Sequence, residues 1–448
     1  EGKALTHWNG VVVFVPFAVP GDVVDIRVTK KSKNYYEGFV ERIVTPSKDR
    51  LEPFCQHFGV CGGCKWQPLP YPMQLEAKRQ QVYDQLVRIG HLNVPEIRPT
   101  IPSDKIQYYR NKLEFTFSSK RWLLKDEDIE SVPENDRMGL GFHVGKFFDK
   151  VLDIKHCYLQ KDPSNDTRLF IKKYAVENGL DFFDIRQNVG YVRNMFIRTT
   201  DTGDLMVIMC FFYENREDRE KMLDAIAEAF PQITSLYYII NNKLNDSIGD
   251  QECILYKGEP TIRETMESLT FRIGPKSFYQ TNSEQAYKLY SVARDFAELT
   301  GNEIVYDLYT GTGTIAQFVS GKAARVIGIE YVPEAIEDAK VNAAGNGITN
   351  CEFFAGDMKD VLSRDFINEH GQPDVIILDP PRAGIHPDVA KVILEASPAR
   401  MVYVSCNPAS QARDLALFAD KYEITAVQPV DMFPHTQHVE NVCALRLR

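Results

Sequence analysis

The stretch DLYTGTGT, residues 307–314, decides the fold of this chain. The apolar segment EIVYDL (303–308) that leads into it predicts a strand. The glycines that follow predict a tight turn into a helix, where missing side chains let a ligand approach the backbone. The stretch is not GxGxxG, and a turn without a ligand would look the same. The residues at the ends of the neighbouring predicted strands must therefore distinguish a structural turn from a ligand-binding one.

Outward from this turn, strand-like and helix-like segments alternate from about residue 270 to the end. A helix is predicted from Glu284, and VPEAIEDAKVNAA (332–344) predicts another. Alternating units of this kind predict an α/β fold with a Rossmann-like, doubly wound parallel sheet, which binds its ligand at the carboxyl ends of the strands. The predicted strands are EIVYDL, ARVIGIE (324–330), CEFFAGD (351–357), PDVIILDPP (373–381) and MVYVSC (401–406).

An acidic residue closes each of three further strands: Glu330, Asp357 and Asp379. A carboxylate at the position of Glu330 can accept hydrogen bonds from ribose hydroxyls. Each acid alone could be a turn residue, but together they predict an acid-rich pocket. Such a pocket suits an adenosine joined to a positively charged group without phosphates. We therefore favour S-adenosylmethionine over NAD, and a methyltransferase over a dehydrogenase.

A cysteine follows the fifth predicted strand, in VYVSCNPAS (402–410). Cysteine is commonly a small core residue, but Pro408 ends ladder hydrogen bonding and places Cys406 at the strand end. Beside a methyl donor, a thiolate that adds to carbon 6 of uracil makes carbon 5 nucleophilic and can leave afterwards. Glu440, in DMFPHTQHVENV (431–442), is the candidate base for the carbon 5 proton, although an exposed strand glutamate would look the same.

Three of the nine cysteines crowd into CQHFGVCGGC: Cys55, Cys61 and Cys64. Without a secretory signal, this pattern favours metal binding or catalysis over disulfides and predicts a cytoplasmic protein. Structural zinc more often uses paired CxxC motifs, so the spacing favours an iron-sulfur cluster over zinc. A fourth ligand must come from elsewhere in the chain.

The remaining sequence divides into a small front domain and a central one. Short β-type runs between residues 10 and 43 predict an OB-like β-barrel at 1–48, and because the chain starts at Glu1 rather than at methionine, we expect this barrel to be truncated. Residues 73–90 predict a helix that Gly90 ends. Residues 49–268 predict a mixed α+β domain with one helix, REDREKMLDAIAEAF (216–230), and residues 269–448 form the methyltransferase domain.

The charge is distributed unevenly along the 448 residues. The net charge is −10, yet residues 1–125 hold 19 lysines and arginines against 12 acidic residues, a balance of +7. A basic front end can bind a polyanion locally. In YYRNKLEF (108–115), Arg110 and Lys112 lie on one side of a predicted strand, beside aromatic residues. Such a basic and aromatic surface suits RNA phosphates and bases. A half-buried strand with a polar outer face would show the same pattern.

The motifs together resemble one family. SFYQTN (277–282), DLYTGTG, DPPRAG (379–384), SCNP (405–408) and DMFPHTQHVE occur in the order and spacing of the RNA uracil-5 methyltransferases. The resemblance covers nearly the whole chain, includes a front-end TRAM barrel, and is closest to the 23S rRNA branch.

The resemblance implies a role for each motif residue. Cys406 would be the nucleophile and Glu440 the base. Cys157 in KHCYL would be the fourth ligand of a 4Fe-4S cluster. The family pattern also favours RNA contacts by Arg110 and Lys112. Members commonly have Cys at the position of Thr310 and Asn at that of Thr314, and the second difference replaces an amide with a hydroxyl. The implied S-adenosylmethionine residues are Gln280, Tyr309, Thr314, Glu330, Asp357 and Asp379.

Rival functions make different demands on the same residues. An amino-group methyltransferase would need no thiol, so Cys406 argues against one. Intact Cys406, Glu440 and Gln280 argue against a non-catalytic RNA-binding iron-sulfur protein. We expect 23S rRNA as the substrate, with the tRNA T-loop as the alternative. We also expect a monomer. No membrane segment is expected, because the longest apolar stretch, VVVFVPFAVP (11–20), is too short to span a bilayer.

Overall fold

The computed structural model describes residues 2–124, 127–128, 130–145 and 147–448. Glu1, on which the predicted truncation rests, lies outside the described residues. Within the described ranges, no helix is both long and apolar enough to cross a membrane. The three largest sheets have four, seven and seven strands, and they follow one another along the chain.

The front sheet has four strands in the order β1-β2-β4-β3. Three of them arise from the alternating runs between residues 10 and 43, whose valines and aromatic residues favour strands. The sequence KALTHW lacks such alternation, so β1 was not predicted. The strands are β1 (Lys3–Trp8), β2 (Val11–Pro16), β3 (Val23–Lys31) and β4 (Tyr35–Thr45).

The helix predicted at residues 73–90 forms in two parts. The α-helix α1 spans Tyr71–Tyr83, and a π-helical segment, Asp84–Ile89, continues it to Gly90. Its buried face is partly polar, with Gln74 and Lys78 fully buried, whereas the apolar Ile89 near its end is 65% exposed. Residues 71–101 lie against the C-terminal sheet rather than the central one, which differs from the predicted division at 49–268.

The central sheet has seven strands in the order β11-β10-β9-β8-β5-β6-β7. Two helices, α2 (Ser164–Glu177) and α3 (Arg216–Ala229), pack on one face; α2 was not predicted. Part of the other face packs against the methyltransferase half. The strands are β5 (Lys112–Ser118), β6 (Gly139–His143), β7 (Val151–Asp153), β8 (Val192–Thr199), β9 (Leu205–Phe211), β10 (Ser235–Ile240) and β11 (Ile254–Gly258).

A hairpin joins the two large sheets. Its strands are β12 (Ile262–Met266) and β13 (Leu269–Ile273), so the boundary predicted between residues 268 and 269 falls within its turn. The first helix of the methyltransferase half, α4 (Ser283–Ala297), follows, capped by the Asn282 side chain.

The C-terminal sheet confirms the predicted parallel, doubly wound α/β fold. Its order is β16-β15-β14-β17-β18-β20-β19; β14 to β18 run parallel, and only β19 and β20 add antiparallel pairs. The strands are β14 (Ile304–Leu308), β15 (Arg325–Glu330), β16 (Cys351–Ala355), β17 (Val375–Leu378), β18 (Arg400–Ser405), β19 (Tyr422–Val430) and β20 (Glu440–Leu447).

Helices cover both faces of this sheet. One face packs against α4, α5 (Thr314–Ser320) and α6 (Pro333–Gly345). The other packs against α1 and α8 (Arg364–His370), α9 (Pro387–Ala396) and α10 (Pro408–Phe418), while the short α7 (Met358–Val361) follows β16. The carboxyl ends of the parallel strands therefore meet at one edge, where the predicted site residues lie.

Candidate active site

The glycine-rich turn after β14 is shaped by left-handed backbone. Tyr309, Gly311 and Gly313 all have positive φ angles, 67°, 55° and 74°. A Cβ at Gly313 would lie 2.9 Å from Ala339 Cβ, so only glycine fits there, whereas one at Gly311 would meet no atom within 4 Å. The turn is thus closed against the helices on one side and open above Gly311. We call residues 307–314 the glycine turn.

A buried carboxylate holds this turn from below. Asp307 Oδ2 accepts hydrogen bonds from Thr310 Oγ1 at 2.5 Å and from the Ala316 amide at 2.9 Å, while Oδ1 is buried without a partner in the described residues. Burial raises the pKa of Asp307 to about 7. The hydroxyl of Thr310, where relatives commonly have cysteine, therefore has a structural use.

Glu330 holds the turn from the next strand. Its Oε2 accepts the Gly311 amide hydrogen at 3.1 Å, and its Oε1 accepts that of Val332 at 3.1 Å. Each carboxylate oxygen has a second lone pair, so Glu330 can still accept from a ligand. Asp357 also lies near Tyr309; its carboxylate caps α7 through the Lys359 amide at 3.2 Å and lies 3.4 Å from the Lys359 ammonium.

The other predicted cofactor residues line the same edge. Asp379 follows β17, and none of the hydrogen bonds in the described part of the chain involves its carboxylate; burial, followed by the charge of Asp307, raises its pKa to about 7. Gln280 interacts with Tyr290 on α4. Thr314 begins α5, and its hydroxyl lies 3.3 Å from that of Thr312.

Cys406 and Glu440 face each other across neighbouring strands. β18 ends at Ser405, so Cys406 stands at a strand end as predicted. The antiparallel ladder pairs Ser405 with Asn441, and one further step places Cys406 opposite Glu440, the first residue of β20. Asn407 fixes the turn after the thiol: its side chain caps α10 and donates to the Arg382 carbonyl at 3.0 Å.

Burial raises the pKa values of both Glu440 and Cys406, and nearby charges modify them. Burial raises the pKa of Glu440 to about 8, with a smaller contribution from Asp379, while Arg382 opposes it. Burial likewise raises the pKa of Cys406 to about 11, and the charges of Glu440 and Asp379 add to this. Glu440 is thus the first of the two groups to lose its proton as the pH rises.

The loop before Glu440, residues 431–439, is held by distant parts of the chain, and we call it the catalytic loop. Lys78 Nζ donates to Asp431 Oδ1 at 2.5 Å and to the Phe433 carbonyl at 3.1 Å, with both charged side chains fully buried. Gln74 accepts the His435 amide hydrogen at 2.8 Å, and its Nε2 lies 3.2 Å from the ring Nδ1. A charged residue and an amide from α1 therefore fix this loop.

The cysteine-rich segment also touches the catalytic loop. The amides of Lys65 and Trp66 donate to the His435 carbonyl at 2.8 and 3.0 Å. The Phe54 ring packs edge-on against the His435 ring at 5.1 Å. These contacts come from the residues on both sides of the segment between Cys55 and Cys64, so the segment and the loop form one structural unit.

The four predicted cysteine ligands line one cavity of about 1120 Å³, which we call the central cavity. Burial raises the pKa of Cys64 to about 12, and the other three thiols contribute to the rise. Among the described residues, no group of three or more His, Cys, Asp or Glu side chains is arranged to bind a single metal ion. The cysteines are Cys55, Cys61, Cys64 and Cys157.

Several site residues escaped the sequence analysis. Asp307 could have been identified from the sequence, because an acidic residue inside an apolar strand needs a hydrogen-bonding partner. Lys78 could have been identified as well, since it falls on the apolar face of α1 with Val82. Arg382 lay within DPPRAG but was not singled out. Gln74 had no signal, because a glutamine on a helix is ordinary.

Comparison with known proteins identifies the family. Residues 197–448 match the family described as tRNA (Uracil-5-)-methyltransferase, and residues 2–40 match the TRAM domain. The chain belongs to the tRNA (uracil-5-)-methyltransferase family. It is 58% identical to a protein of Porphyromonas gingivalis described as an uncharacterized RNA methyltransferase, over 99% of this chain and 97% of the relative. A relative in Bacteroides thetaiotaomicron with the same description is also 58% identical, over 100% and 99%.

A solved structure supports the same assignment. The tRNA (uracil-54, C5)-methyltransferase of Pyrococcus abyssi, in complex with S-adenosyl-L-homocysteine, superposes with a TM-score of 0.74 at 30% identity, over 97% of this chain and 95% of that one. The predicted family, TRAM domain and methyltransferase fold are confirmed. The enzyme is an S-adenosylmethionine-dependent RNA methyltransferase.

Proposed function

We propose that the enzyme methylates carbon 5 of a uridine in RNA through a covalent bond between Cys406 and carbon 6. The observation that carries this proposal is the pairing of a thiol and a buried carboxyl across β18 and β20. An amino-group methyltransferase would have no use for either group. The pair stands at the carboxyl edge of the sheet, where the predicted cofactor residues also lie.

The chain's residues supply the proton and electron steps. The Cys406 thiol loses its proton to solvent and the thiolate adds to carbon 6. The electrons of the carbon 5–carbon 6 double bond move toward carbon 5 and oxygen 4, so that carbon 5 becomes nucleophilic. After methylation, Glu440 removes the proton from carbon 5, the double bond re-forms, and the thiolate leaves. Arg382, whose charge lowers the pKa of both Cys406 and Glu440, stabilises their negative forms.

S-Adenosylmethionine supplies an electrophilic methyl group on a positively charged sulfur. The glycine turn, open above Gly311, is the proposed cradle for its adenosine, and Glu330 would accept from the ribose hydroxyls. Asp379, a carboxyl without a hydrogen-bonded partner, would face the cationic end. The contributions of Gln280, Tyr309, Thr314 and Asp357 to this site are part of the same proposal.

Two RNAs compete as substrates. The sequence motifs favour 23S rRNA, whereas the name of the Pyrococcus abyssi neighbour, a tRNA (uracil-54, C5)-methyltransferase, favours the tRNA T-loop. Incubation of the enzyme with labelled S-adenosylmethionine and unmodified 23S rRNA or tRNA, followed by mapping of the methylated nucleotide, distinguishes the two. Label found on an exocyclic amino group would overturn the proposed chemistry.

RNA that contains 5-fluorouridine tests the covalent step. Fluorine leaves no removable proton on carbon 5, so a stable protein–RNA adduct should accumulate with the wild-type enzyme. Cys406→Ala should form no adduct, while Cys443→Ala, which changes a buried cysteine on the same sheet, should still form it. Adduct at wild-type levels in Cys406→Ala would rule out this nucleophile.

The proposed base has its own test. Glu440→Gln should lose about 10²-fold or more in methylation rate but still form the thiol adduct, because addition at carbon 6 precedes proton removal. Glu423→Gln, an exposed glutamate on the neighbouring strand β19, is the control and should retain full activity. Full turnover by Glu440→Gln would move the role of base to another group.

We also propose that Cys55, Cys61, Cys64 and Cys157 hold a 4Fe-4S cluster. Their arrangement around one cavity supports this proposal. Such a cluster would join the cysteine-rich segment to the strand region near residue 157, and no redox role is needed.

Metal analysis of the enzyme purified without oxygen tests the cluster. We expect about four irons per chain and visible absorbance near 400 nm, and Cys157→Ala should lose both signals. Cys253→Ala, at a cysteine outside the cavity, is the control. Stoichiometric zinc without iron would contradict the cluster.

A further inference from the structure

The central cavity contains more than the four cysteines. It is also lined by Lys112 and Glu114 from β5, by His143 from β6 and by Asp246 from the loop between β10 and β11; we call these four residues the polar wall. At about 1120 Å³ the cavity exceeds the ~300–1,000 Å³ that ligand pockets commonly occupy. It can therefore accommodate a second ligand beside the group that the cysteines hold.

The charged groups that β5 brings to the cavity, the Glu114 carboxylate and the Lys112 ammonium, make no hydrogen bond or ion pair within the described part of the chain. The Lys112 ammonium does lie 5.7 Å from the centre of the Phe196 ring. His143 Nε2 lies 3.3 Å from Thr116 Oγ1, but its Nδ1 is buried without a partner. The Glu114 side chain is exposed to the cavity, and those of Lys112 and His143 are partly exposed, so these groups can bond a ligand that enters it. Desolvation raises the pKa of Glu114 to about 7 and lowers that of Lys112 to about 8.

The loop that brings Asp246 to the cavity is fixed in place. Arg193, almost fully buried, donates to Asp246 Oδ1 at 2.9 Å and to the carbonyls of Asn241, Lys243 and Asn245. This loop therefore presents a preformed wall, and Asp246 already has a cationic partner. Glu114 remains as the acceptor on the polar wall that is free to bind a ligand.

Aromatic rings complete the cavity. Phe142, His156 and Tyr158 line it, and Tyr108 stands beside the last two, with ring centroids 6.2 and 6.0 Å away. Aromatic faces stack on unpaired nucleobases, and nearby cations hold the phosphates between them. Above a pH of about 7 the Glu114 carboxylate is ionised and only accepts hydrogen bonds, so it favours bases that present N–H groups, above all the adjacent N1–H and N2–H₂ of guanine.

The cavity also lies next to the proposed reaction centre. Arg110 lines it while stacking its guanidinium on the Phe433 ring of the catalytic loop at 5.5 Å. Thr281, which follows Gln280, lines it as well. A strand of RNA whose uridine reaches Cys406 would therefore pass the mouth of this cavity.

We propose that the central cavity binds a second, unstacked nucleotide of the RNA substrate, with guanine as the preferred base and Glu114 as its acceptor. Lys112 and Arg110 contact the phosphates of this nucleotide, and the aromatic rings stack on its base. This inference rests on the proposed function, because it assigns an additional contact to the same RNA. It makes Glu114 a residue that determines which RNA is bound.

Equilibrium binding of short single-stranded RNA tests the inference without turnover. The probes are a fluorescent oligouridine and the same oligonucleotide with one central guanosine. The wild-type enzyme should bind the guanosine-containing probe about tenfold more tightly. Glu114→Gln should lose this preference yet keep its affinity for oligouridine, and Glu228→Gln, an exposed glutamate on α3, should behave as wild type. Lys112→Met should weaken both probes equally.

A second measurement does not depend on any variant. A 6-thioguanosine at the central position should photo-crosslink to the wild-type chain at residues that line the central cavity. Equal affinity for the two probes, or crosslinks confined to other surfaces, would overturn the inference. If guanosine preference is found but no 5-methyluridine forms, the proposed function fails alone; if 5-methyluridine forms without guanosine preference, only this inference fails.

Discussion

The glycine turn and the catalytic loop are two parts of one active site that are held in different ways. The glycine turn is fixed by Asp307, within the turn itself, and by Glu330, 19 residues from Gly311. The catalytic loop is fixed by Lys78 and Gln74, whose partners lie 353 and 361 residues away in the chain. The conformation of the glycine turn is thus fixed by residues of two neighbouring strands, β14 and β15. The conformation of the catalytic loop is fixed by residues of α1, more than 350 positions away in the chain.

This difference separates two kinds of sensitivity. Damage to the glycine turn should alter cofactor affinity and leave the rest of the chain folded. Damage to the support of the catalytic loop should alter stability and the chemical step together. The four predictions below test this separation.

The largest effect is expected at the buried ion pair. Lys78→Met leaves the Asp431 charge buried without its partner, which should lower the free energy of unfolding by about 3–5 kcal/mol and abolish most activity. Urea unfolding and methylation assays measure the two losses. The double variant Lys78→Met, Asp431→Leu should recover much of the stability. If the single variant is as stable as wild type, the pair does not support the loop.

The next effect concerns pH. Glu440 can accept a proton only after losing its own, and its pKa is raised to about 8. The thiol of Cys406, whose pKa is raised to about 11, must also lose its proton before it attacks. The single-turnover rate should therefore rise about a hundredfold per pH unit below about 8 and about tenfold per pH unit above it. Glu440→Gln should show only the tenfold rise over the same range. A wild-type rate that is constant from neutral to alkaline pH would contradict the raised pKa.

A smaller loss is expected at Gln74. Gln74→Leu removes the acceptor of the His435 amide and leaves that amide buried, which should lower kcat about tenfold. The KM for S-adenosylmethionine should not change, because the glycine turn is untouched. Gln74→Glu, which keeps an acceptor oxygen, should restore part of kcat, and the exposed Gln80→Leu on the same helix is the control. A changed KM with normal kcat would reverse the assignment.

The smallest effect is expected in the glycine turn. Thr310→Val removes the hydroxyl that donates to Asp307, so the Kd for S-adenosylmethionine should rise about threefold to tenfold. Thr310→Ser keeps the hydroxyl and should bind normally. Isothermal titration calorimetry measures both, and the unfolding midpoint should stay close to wild type. A large loss of stability in Thr310→Val would remove the contrast with the catalytic loop.

The same contrast explains how much was predictable from sequence. The order of strands and helices after residue 270, the strand-end acids and the position of Cys406 follow from local patterns, because parallel strands bring their carboxyl ends to one edge. The pairing of Cys406 with Glu440 needed the register of β18 and β20. Lys78 and Gln74 were beyond local patterns, since a helix does not reveal which distant loop it supports.

Helix α2 shows a second limit. Its sequence, SNDTRLFIKKYAVE, carries few apolar residues at helical spacing, and its buried face includes Asn165 and Arg168. These polar side chains are buried because they bond backbone near the cysteine site: Arg168 Nη2 donates to the Lys155 carbonyl at 3.1 Å, and Asn165 accepts the Cys157 amide hydrogen at 2.8 Å. A hydrophobic pattern cannot predict a face that is buried through hydrogen bonds.

The packing of residues 71–101 on the C-terminal sheet has a consequence for dissecting the enzyme. Val82, Leu86, Leu92 and Ile97 belong to the same core as the strands of the methyltransferase half. A fragment that starts at residue 269 would expose that core and release the catalytic loop. The Rossmann-like half is therefore not an autonomous module, and chimeras that exchange RNA-binding front ends should keep residues 71–101 with the catalytic half they came from.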